Sequence, residues 1–435
     1  MGGSQRSTVT LRALIPYLVI YRALGLLPIN FASETANPSK PTIPWLCRFR
    51  PRLCWRQIGW TRLYSASVFL LVTGFLFEKL PSLESKEKDV VGRLEVANRS
   101  SICLNVFVTS AICFCYVGKR MSALTQKMIQ CEQDLIALGC HLQNRLAVYC
   151  WIVLAIGSVA TILNELVIGI KYIRPTMNSA TEEEDQSTLL VIFRSIMTPF
   201  TAGLMPFVDF SVIHLSLIFS AYLKQLRKEI EHWSSLGLKA KERLRLTYWE
   251  VQSLIKVNLI NDSDDIFSPT ILIESLSCVA HLTLQINILV GTKIESSESD
   301  EYDKHHVFMV TAITTVYLFI RFISSSLFAE MIHRERFKSQ RCLYEQSGEE
   351  FWSYDLELLV TKRFVHQLTL PLGFTGCGFF KLGKSYLIAM CGTILTYEIV
   401  LMDMANSKNP ATFESCLNNS FTLAQHGTGI AENSN

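Results

Sequence analysis

The sequence predicts an all-α, polytopic membrane protein with seven transmembrane helices, and three observations lead to this fold class. The chain of 435 residues is 49% hydrophobic and only 18% charged, whereas soluble globular domains carry about 25% charged residues. It contains seven apolar runs that approach or exceed the roughly 20 residues needed to cross a bilayer as a helix. The loops between these runs alternate between rich and poor in Lys and Arg.

The seven predicted spans follow one another from residue 60 almost to the end of the chain. They are Trp60–Phe77, Ser101–Val117, Leu146–Ile168, Leu189–Leu223, Thr270–Val290, Val307–Glu330 and Ser385–Met404. An earlier apolar stretch, Leu11 to Leu27, contains Arg12 and Arg22 and lacks a clear signal-peptide cleavage site. We therefore expect an amphipathic or partly inserted cytoplasmic helix there.

The distribution of basic residues predicts the orientation of the chain. About 28 of the Lys and Arg residues lie in the N-terminal segment and the even-numbered loops, against about 10 in the odd-numbered loops and the C-terminal tail. Cytoplasmic loops collect Lys and Arg, so the N-terminus is expected inside and the C-terminus outside. This is the reverse of a G-protein-coupled receptor.

Three segments on the predicted cytoplasmic side have the apolar periodicity of amphipathic helices. They are 222–236, 239–259 and 351–370. We expect them to extend helices four to seven into a packed cytoplasmic anchor layer.

Several polar residues fall within the predicted spans, where a charged side chain costs about 2.5–3.5 kcal/mol on insertion scales. The candidates are Asn164 and Glu165 in the third span, Arg194 and Asp209 in the fourth, His281 and Gln285 in the fifth, and Tyr317 and Arg321 in the sixth. One interpretation is a polar cavity, open to the outside, that binds a hydroxyl-rich ligand. The other is a set of helix-contact hydrogen bonds with two buried ion pairs, Glu165–Arg194 and Asp209–Arg321.

The sequence offers no sign of catalysis or of a cofactor. It lacks H-E-x-x-H, Walker and G-x-S-x-G patterns, and its cysteines lack zinc-site spacing. We therefore predict no enzyme activity, no metal site and no cofactor. The basic residues are too dispersed to indicate nucleic-acid binding, whereas their cytoplasmic clusters favour contact with anionic membrane lipid.

The last span carries the most specific local pattern in the chain. Thr396, Val400 and Asp403 recur at intervals of four and three residues, so they share one helix face. Several copies of this face around an axis would form a polar ring, an apolar constriction and an acidic ring that favours cations. Alternatively, the helix packs within one subunit and Asp403 lies at the outer interface.

These residues resemble the signature of the insect gustatory receptor family, which reads Thr-Tyr, five mostly apolar residues, then Gln-Phe. This chain has Thr396-Tyr397 at the start of that motif and Asp403-Met404 at its end. The sequence from Gly376 to Phe380, Gly-Cys-Gly-Phe-Phe, resembles the sugar-sensing branch of the family. The Asp403-Met404 ending replaces the family's Gln-Phe. The resemblance therefore leaves the conductance and ion selectivity of this chain open.

The resemblance implies a ligand-gated channel for monovalent and divalent cations, opened by a sugar and located in the plasma membrane of a sensory neuron. It also implies a homotetramer, or a heteromer with related receptors, in which Val400 and Asp403 face the pore. The chain would divide into five parts: a cytoplasmic N-terminal segment (1–59), a ligand-binding bundle (60–330), a cytoplasmic anchor segment (331–384), a pore-lining helix (385–404) and an extracellular tail (405–435).

Other functions stay open on the sequence alone. The ligand could be a non-sugar tastant, or the receptor could work only with a partner. A membrane carrier would predict paired half-repeats, which the sequence lacks, and a G-protein-coupled receptor would require the C-terminus inside.

Overall fold

The described part of the chain is almost entirely helical, which confirms the predicted fold class. The computed structural model describes residues 8–27, 60–79, 90–137, 142–179, 204, 206–234, 259–294, 301–346 and 373–407. The helices are α1 Val9–Ala23, α2 Trp60–Lys79, α3 Val90–Ile112, α4 Gly118–Ala137, α5 Arg145–Ser179, α6 Phe207–Ser234, α7 Leu259–Ile294, α8 Glu301–Gln346 and α9 Lys384–Ser407. A π-helical turn, Cys113–Val117, joins α3 to α4.

Five helices within the described residues are long and apolar enough to cross a membrane. The spanning stretches are Val96–Val117, Arg145–Val167, Phe207–Lys228, Leu259–Leu289 and Phe308–Ser339. The first predicted span corresponds to α2, which contains a shorter apolar stretch, and the seventh corresponds to α9. Most of the fourth predicted span before Phe207 lies outside the described residues, as do 351–370 and nearly all of 239–259.

The helices of the fourth, fifth and sixth predicted spans run well beyond the predicted bounds. α6 continues past Leu223 to Ser234, α7 begins eleven residues before Thr270, and α8 continues past Glu330 to Gln346. At 3.6 residues per turn, these extensions are about three to four turns long. These extensions agree with the expected anchor layer, while the orientation of the chain in the membrane stays a prediction.

The chain divides into two compact units, residues 1–387 and 388–435. In the first unit, α8 packs most extensively against α6 and also contacts α7 and α5, while α3 packs against α7. Gly157 of α5 allows close packing on α6, because a Cβ at this position would collide with the ring of Phe210. In the second unit, the described residues are the part of α9 that begins at Ile388.

The N-terminal helix α1 is buried on most of its sides against α4, α5 and α6. Neighbouring helices cover most of its apolar residues, while Val19 and Ile20 are exposed. Its placement as an amphipathic or partly inserted cytoplasmic helix stays a prediction. Its side chains at Leu14 and Leu18 are fully buried, as is that of Leu27 just beyond its C-terminal end. The covering helices come from distant parts of the chain, so local sequence patterns did not indicate them.

Polar contacts to other helices fix α1 in place. The buried Glu132 of α4 accepts hydrogen bonds from the amides of Val9 and Thr10, at 2.6 and 2.8 Å. A carboxylate at a helix N-terminus satisfies free amides and complements the helix dipole. Burial raises the pKa of the Tyr17 phenol above its ordinary value, so Tyr17 stays protonated at its 2.6 Å contact with the hydroxyl of Ser211.

Candidate functional site

A buried charge cluster lies where α6, α7 and α8 meet. The guanidinium of Arg321 on α8 forms ion pairs with Asp209 of α6 and Glu274 of α7. These three side chains are at most 10% exposed. Asn105 of α3 donates a hydrogen bond of 2.9 Å to the second oxygen of Glu274, so the cluster joins four helices.

This cluster realises one of the two ion pairs that the sequence suggested and adds a residue that the sequence analysis missed. Asp209 and Arg321 are paired directly, whereas Arg194 lies outside the described residues. Glu274 lies inside the predicted fifth span. The rule that every intramembrane carboxylate needs a partner would have identified it.

A small cavity opens beside the charge cluster. Its volume is about 20 Å³, enough for one or two water molecules. Its lining includes Asp209, Glu274, Ser275, Arg321, Ser325 and Leu382. A monosaccharide is many times larger than a water molecule, so a sugar would enter this cavity only if the helices moved apart.

A polar stripe leads along α7 away from the charge cluster. Glu274, Cys278, His281 and Gln285 recur at intervals of four, three and four residues, so they share one face, and all are buried. Neither ring nitrogen of His281 has a hydrogen-bond partner among the described residues. Burying such a group without a partner costs about 1–3 kcal/mol.

A second polar group lies between α5 and α8. The phenol of Tyr317, one turn before Arg321 on α8, contacts the hydroxyl of Thr161 at 2.9 Å. One turn further along α5, Asn164 donates to Glu165 at 3.4 Å, and the buried oxygen of its amide has no partner in the described part of the chain. Thr161 was not predicted from the sequence, because a threonine in an apolar helix gives no distinctive signal.

His214, one of the two histidines on α6, has a different role. His214 is fully buried, and its two ring nitrogens lie 2.8 Å from the carbonyl oxygen of Phe210 and 3.1 Å from that of Cys150. It therefore connects α6 to α5, as expected for a histidine at a helix contact. The described residues hold no group of three side chains able to bind a metal ion.

The predicted pore residues lie on one continuous helix. Because α9 is unbroken from Lys384 to Ser407, Thr396, Val400 and Asp403 fall on the same face. The side chains of Thr396 and Val400 are exposed in the single chain. Asp403 lies within the helix, but its side chain is not among those described.

A family model described as 7tm Chemosensory receptor matches residues 14–404. The chain is also similar to the gustatory receptor for sugar taste 64f of Drosophila melanogaster, with 21% identity over 223 residues. That match spans 50% of this chain and 42% of the length of the Drosophila receptor.

Two solved structures share the fold of this chain. The insect olfactory receptor OR5 from Machilis hrabei in complex with eugenol matches with a TM-score of 0.66 and 14% identity. A second structure of that receptor matches with a TM-score of 0.64 at the same identity. Each match covers 90% of this chain and 97% of the receptor chain, and at this identity the likeness shows the fold alone.

Proposed function

Because the chain belongs to the 7tm chemosensory receptor family, we propose that it is a gustatory receptor that acts as a cation channel opened by an extracellular sugar. It is a multi-pass membrane protein of the plasma membrane. The sugar is supported by the similarity to a receptor for sugar taste. The channel is supported by the polar, apolar and acidic positions on one face of α9.

The observation that carries the proposal is the presence of buried, unsatisfied polar atoms on α5 and on α7, two helices that each contact α8. His281 offers one donor and one acceptor, and Asn164 offers a free acceptor. A sugar hydroxyl both donates and accepts hydrogen bonds, so it could satisfy either type of atom. We therefore place the ligand beside Asn164, Glu165, His281, Gln285 and Tyr317.

The remaining predicted ligand-binding residues, Arg194, Asp209 and Arg321, are charged. Asp209 and Arg321 are already paired with each other and Arg321 also with Glu274, so their proposed role is to set the spacing of α6, α7 and α8 around the ligand. Arg194 stays a proposed ligand contact or a partner of Glu165. A ligand that fits better when these helices separate would favour the conformation in which it binds.

The pore in this proposal is formed by four copies of α9, in a homotetramer or in a heteromer with related receptors. Val400 would form the apolar constriction, Thr396 a polar ring and Asp403 an acidic ring that attracts monovalent and divalent cations. Four neighbouring carboxylates in this ring would repel one another. Permeation is therefore expected to differ from that of relatives with Gln at this position.

The test is a cation current in cells that express this chain alone, recorded with a panel of sugars and with verified surface expression. His281→Ala and Gln285→Ala should raise the sugar concentration for half-maximal current. Leu276→Ala is the matched control on α7, because that side chain is 63% exposed. The sugar proposal would be contradicted if the wild-type receptor reached the cell surface and none of the sugars in the panel evoked a current.

A non-sugar tastant is the second candidate, because the similarity to the sugar-taste receptor is low, at 21% identity over 50% of this chain. The same recordings with bitter compounds and amino acids would separate the two, and coexpression with related receptors would reveal a need for a heteromer. A tag on the C-terminus that is accessible only from the cytoplasm would contradict the proposed topology and point to a G-protein-coupled receptor.

A further inference from the structure

The short segment that precedes α9 is held by hydrogen bonds on two other helices. Residues 373–383, called the clasp below, connect to the first turn of α9. They include the Gly-Cys-Gly-Phe-Phe motif that the proposed function leaves without a role. The clasp and the first turn of α9 lie in the same compact unit as α7 and α8.

On one side, the clasp is bonded to α7. The carboxylate of Asp264 accepts from the amide of Thr375 at 2.6 Å and from its hydroxyl at 2.7 Å. One turn later on α7, the hydroxyl of Ser268 accepts from the amide of Cys377 at 2.5 Å. Asp264 and Ser268 therefore satisfy two backbone amides of an irregular segment that forms no helix.

On the other side, the clasp meets α8. Glu330 accepts from the amide of Lys384 at 3.3 Å, which places a carboxylate at the N-terminus of α9, where the helix dipole favours it. Gly373 and Gly383 both lie against His333. A Cβ at Gly383 would lie 2.6 Å from the carboxylate of Glu330, and one at Gly373 would lie 2.8 Å from Nε2 of His333. Glycine at these positions thus permits the close approach.

The clasp is also closed on itself. The amide of Gly376 donates to the carbonyl of Phe380 at 3.0 Å, and that of Leu382 donates to Phe374 at 2.9 Å. The ring of Phe380 stacks on Tyr386 in the first turn of α9, with centroids 4.4 Å apart. Internal bonds and external bonds together make this segment a stiff connection rather than a loose loop.

We propose that the clasp is the mechanical link that passes movements of α7 and α8 to the pore helix. This inference depends on the proposed channel function. Glu274, where the polar stripe begins, lies ten residues beyond Asp264 on the same helix, a distance of about 15 Å. A ligand that displaces α7 therefore also displaces Asp264 and Ser268, and through their bonds it displaces the start of α9. Leu382 of the clasp lines the cavity beside the charge cluster. A change in the spacing of the helices around that cavity would therefore also reach the clasp through Leu382.

The experiment compares agonist concentration-response curves for Asp264→Ala and Asp265→Ala in cells with matched surface expression. Asp265 is the control because it is the next residue, it is exposed, and its carboxylate bonds to no described residue. Loss of two bonds should raise the half-maximal concentration roughly tenfold or more in Asp264→Ala. The Asp265→Ala curve should match that of the wild type.

A milder pair of variants guards against misfolding. Thr375→Val removes one hydroxyl and should raise the half-maximal concentration roughly two- to tenfold. Thr375→Ser keeps a hydroxyl at this position and should have the wild-type curve. Ion selectivity should stay unchanged in all four variants, because none alters the predicted pore face of α9. A merely structural role would lower surface expression without shifting the curve of the channels that reach the surface.

Each outcome decides between the proposals. If sugars open the wild type and the two aspartate variants have the same curve, the clasp inference is wrong and the proposed function stands. If only another tastant opens the wild type, the sugar proposal fails and that tastant serves to test the clasp. If no agonist opens a wild type that has reached the surface, either alone or coexpressed with related receptors, both the channel and the clasp inference are overturned.

Discussion

Replacing Arg321 by Gln should destabilise the protein strongly. The substitution would leave Asp209 and Glu274 side by side, both almost fully buried and without their cation. Removing one partner of a buried ion pair costs about 3–5 kcal/mol. With an unfolding entropy of about 2.1 cal/mol/K per residue, this loss corresponds to a fall of about 3–6 °C in melting temperature for a chain of this length.

Replacing Glu274 by Gln should have a much smaller effect. The cluster of Asp209, Glu274 and Arg321 carries one excess negative charge, and this substitution removes it while keeping the Asp209–Arg321 pair. The glutamine oxygen can still accept a hydrogen bond from Arg321 or Asn105, so the expected loss is about 1 kcal/mol. The double variant Arg321→Gln with Glu274→Gln should lose less stability than Arg321→Gln alone, because only one uncompensated carboxylate remains.

The assay is the melting temperature of the receptor purified in detergent, followed by the loss of the monodisperse peak on size-exclusion chromatography. Leu276→Ala, on the exposed face of α7, serves as the reference for an ordinary substitution in this region. The reasoning would be refuted if Glu274→Gln destabilised the receptor as much as Arg321→Gln, or if the double variant were the least stable of the three.

Three further predictions test other parts of the chain. Asp403→Gln should reduce the preference for divalent over monovalent cations, measured from reversal potentials, and unchanged selectivity would count against a pore-facing position. Glu132→Ala should cost about 1–3 kcal/mol and speed amide exchange at Val9, because it removes two buried hydrogen bonds to α1. Gly157→Ala should cost about 1–3 kcal/mol through overpacking against Phe210. Phe210→Leu should partly rescue its melting temperature, and a lack of rescue would mean that the two residues do not compete for space.

The helices were predictable from the sequence because hydrophobicity along a chain is a local property. A run of about 20 apolar residues is favourable in a bilayer only as a helix that satisfies its own backbone hydrogen bonds. The shared face of Thr396, Val400 and Asp403 also follows from the order of residues, because a helix places positions three and four residues apart on one face. The cost of burying charge also identified Asp209 and Arg321 as residues that need partners.

The choice of partners was decided only by the tertiary structure. Glu274 joins the Arg321 cluster, and Thr161 meets Tyr317, because helices from distant parts of the chain pack side by side. α1 is buried for the same reason, since helices more than 100 residues away cover it. A sequence states that a buried charge or a free amide must be satisfied, but which group satisfies it depends on distances that only the packed helices set.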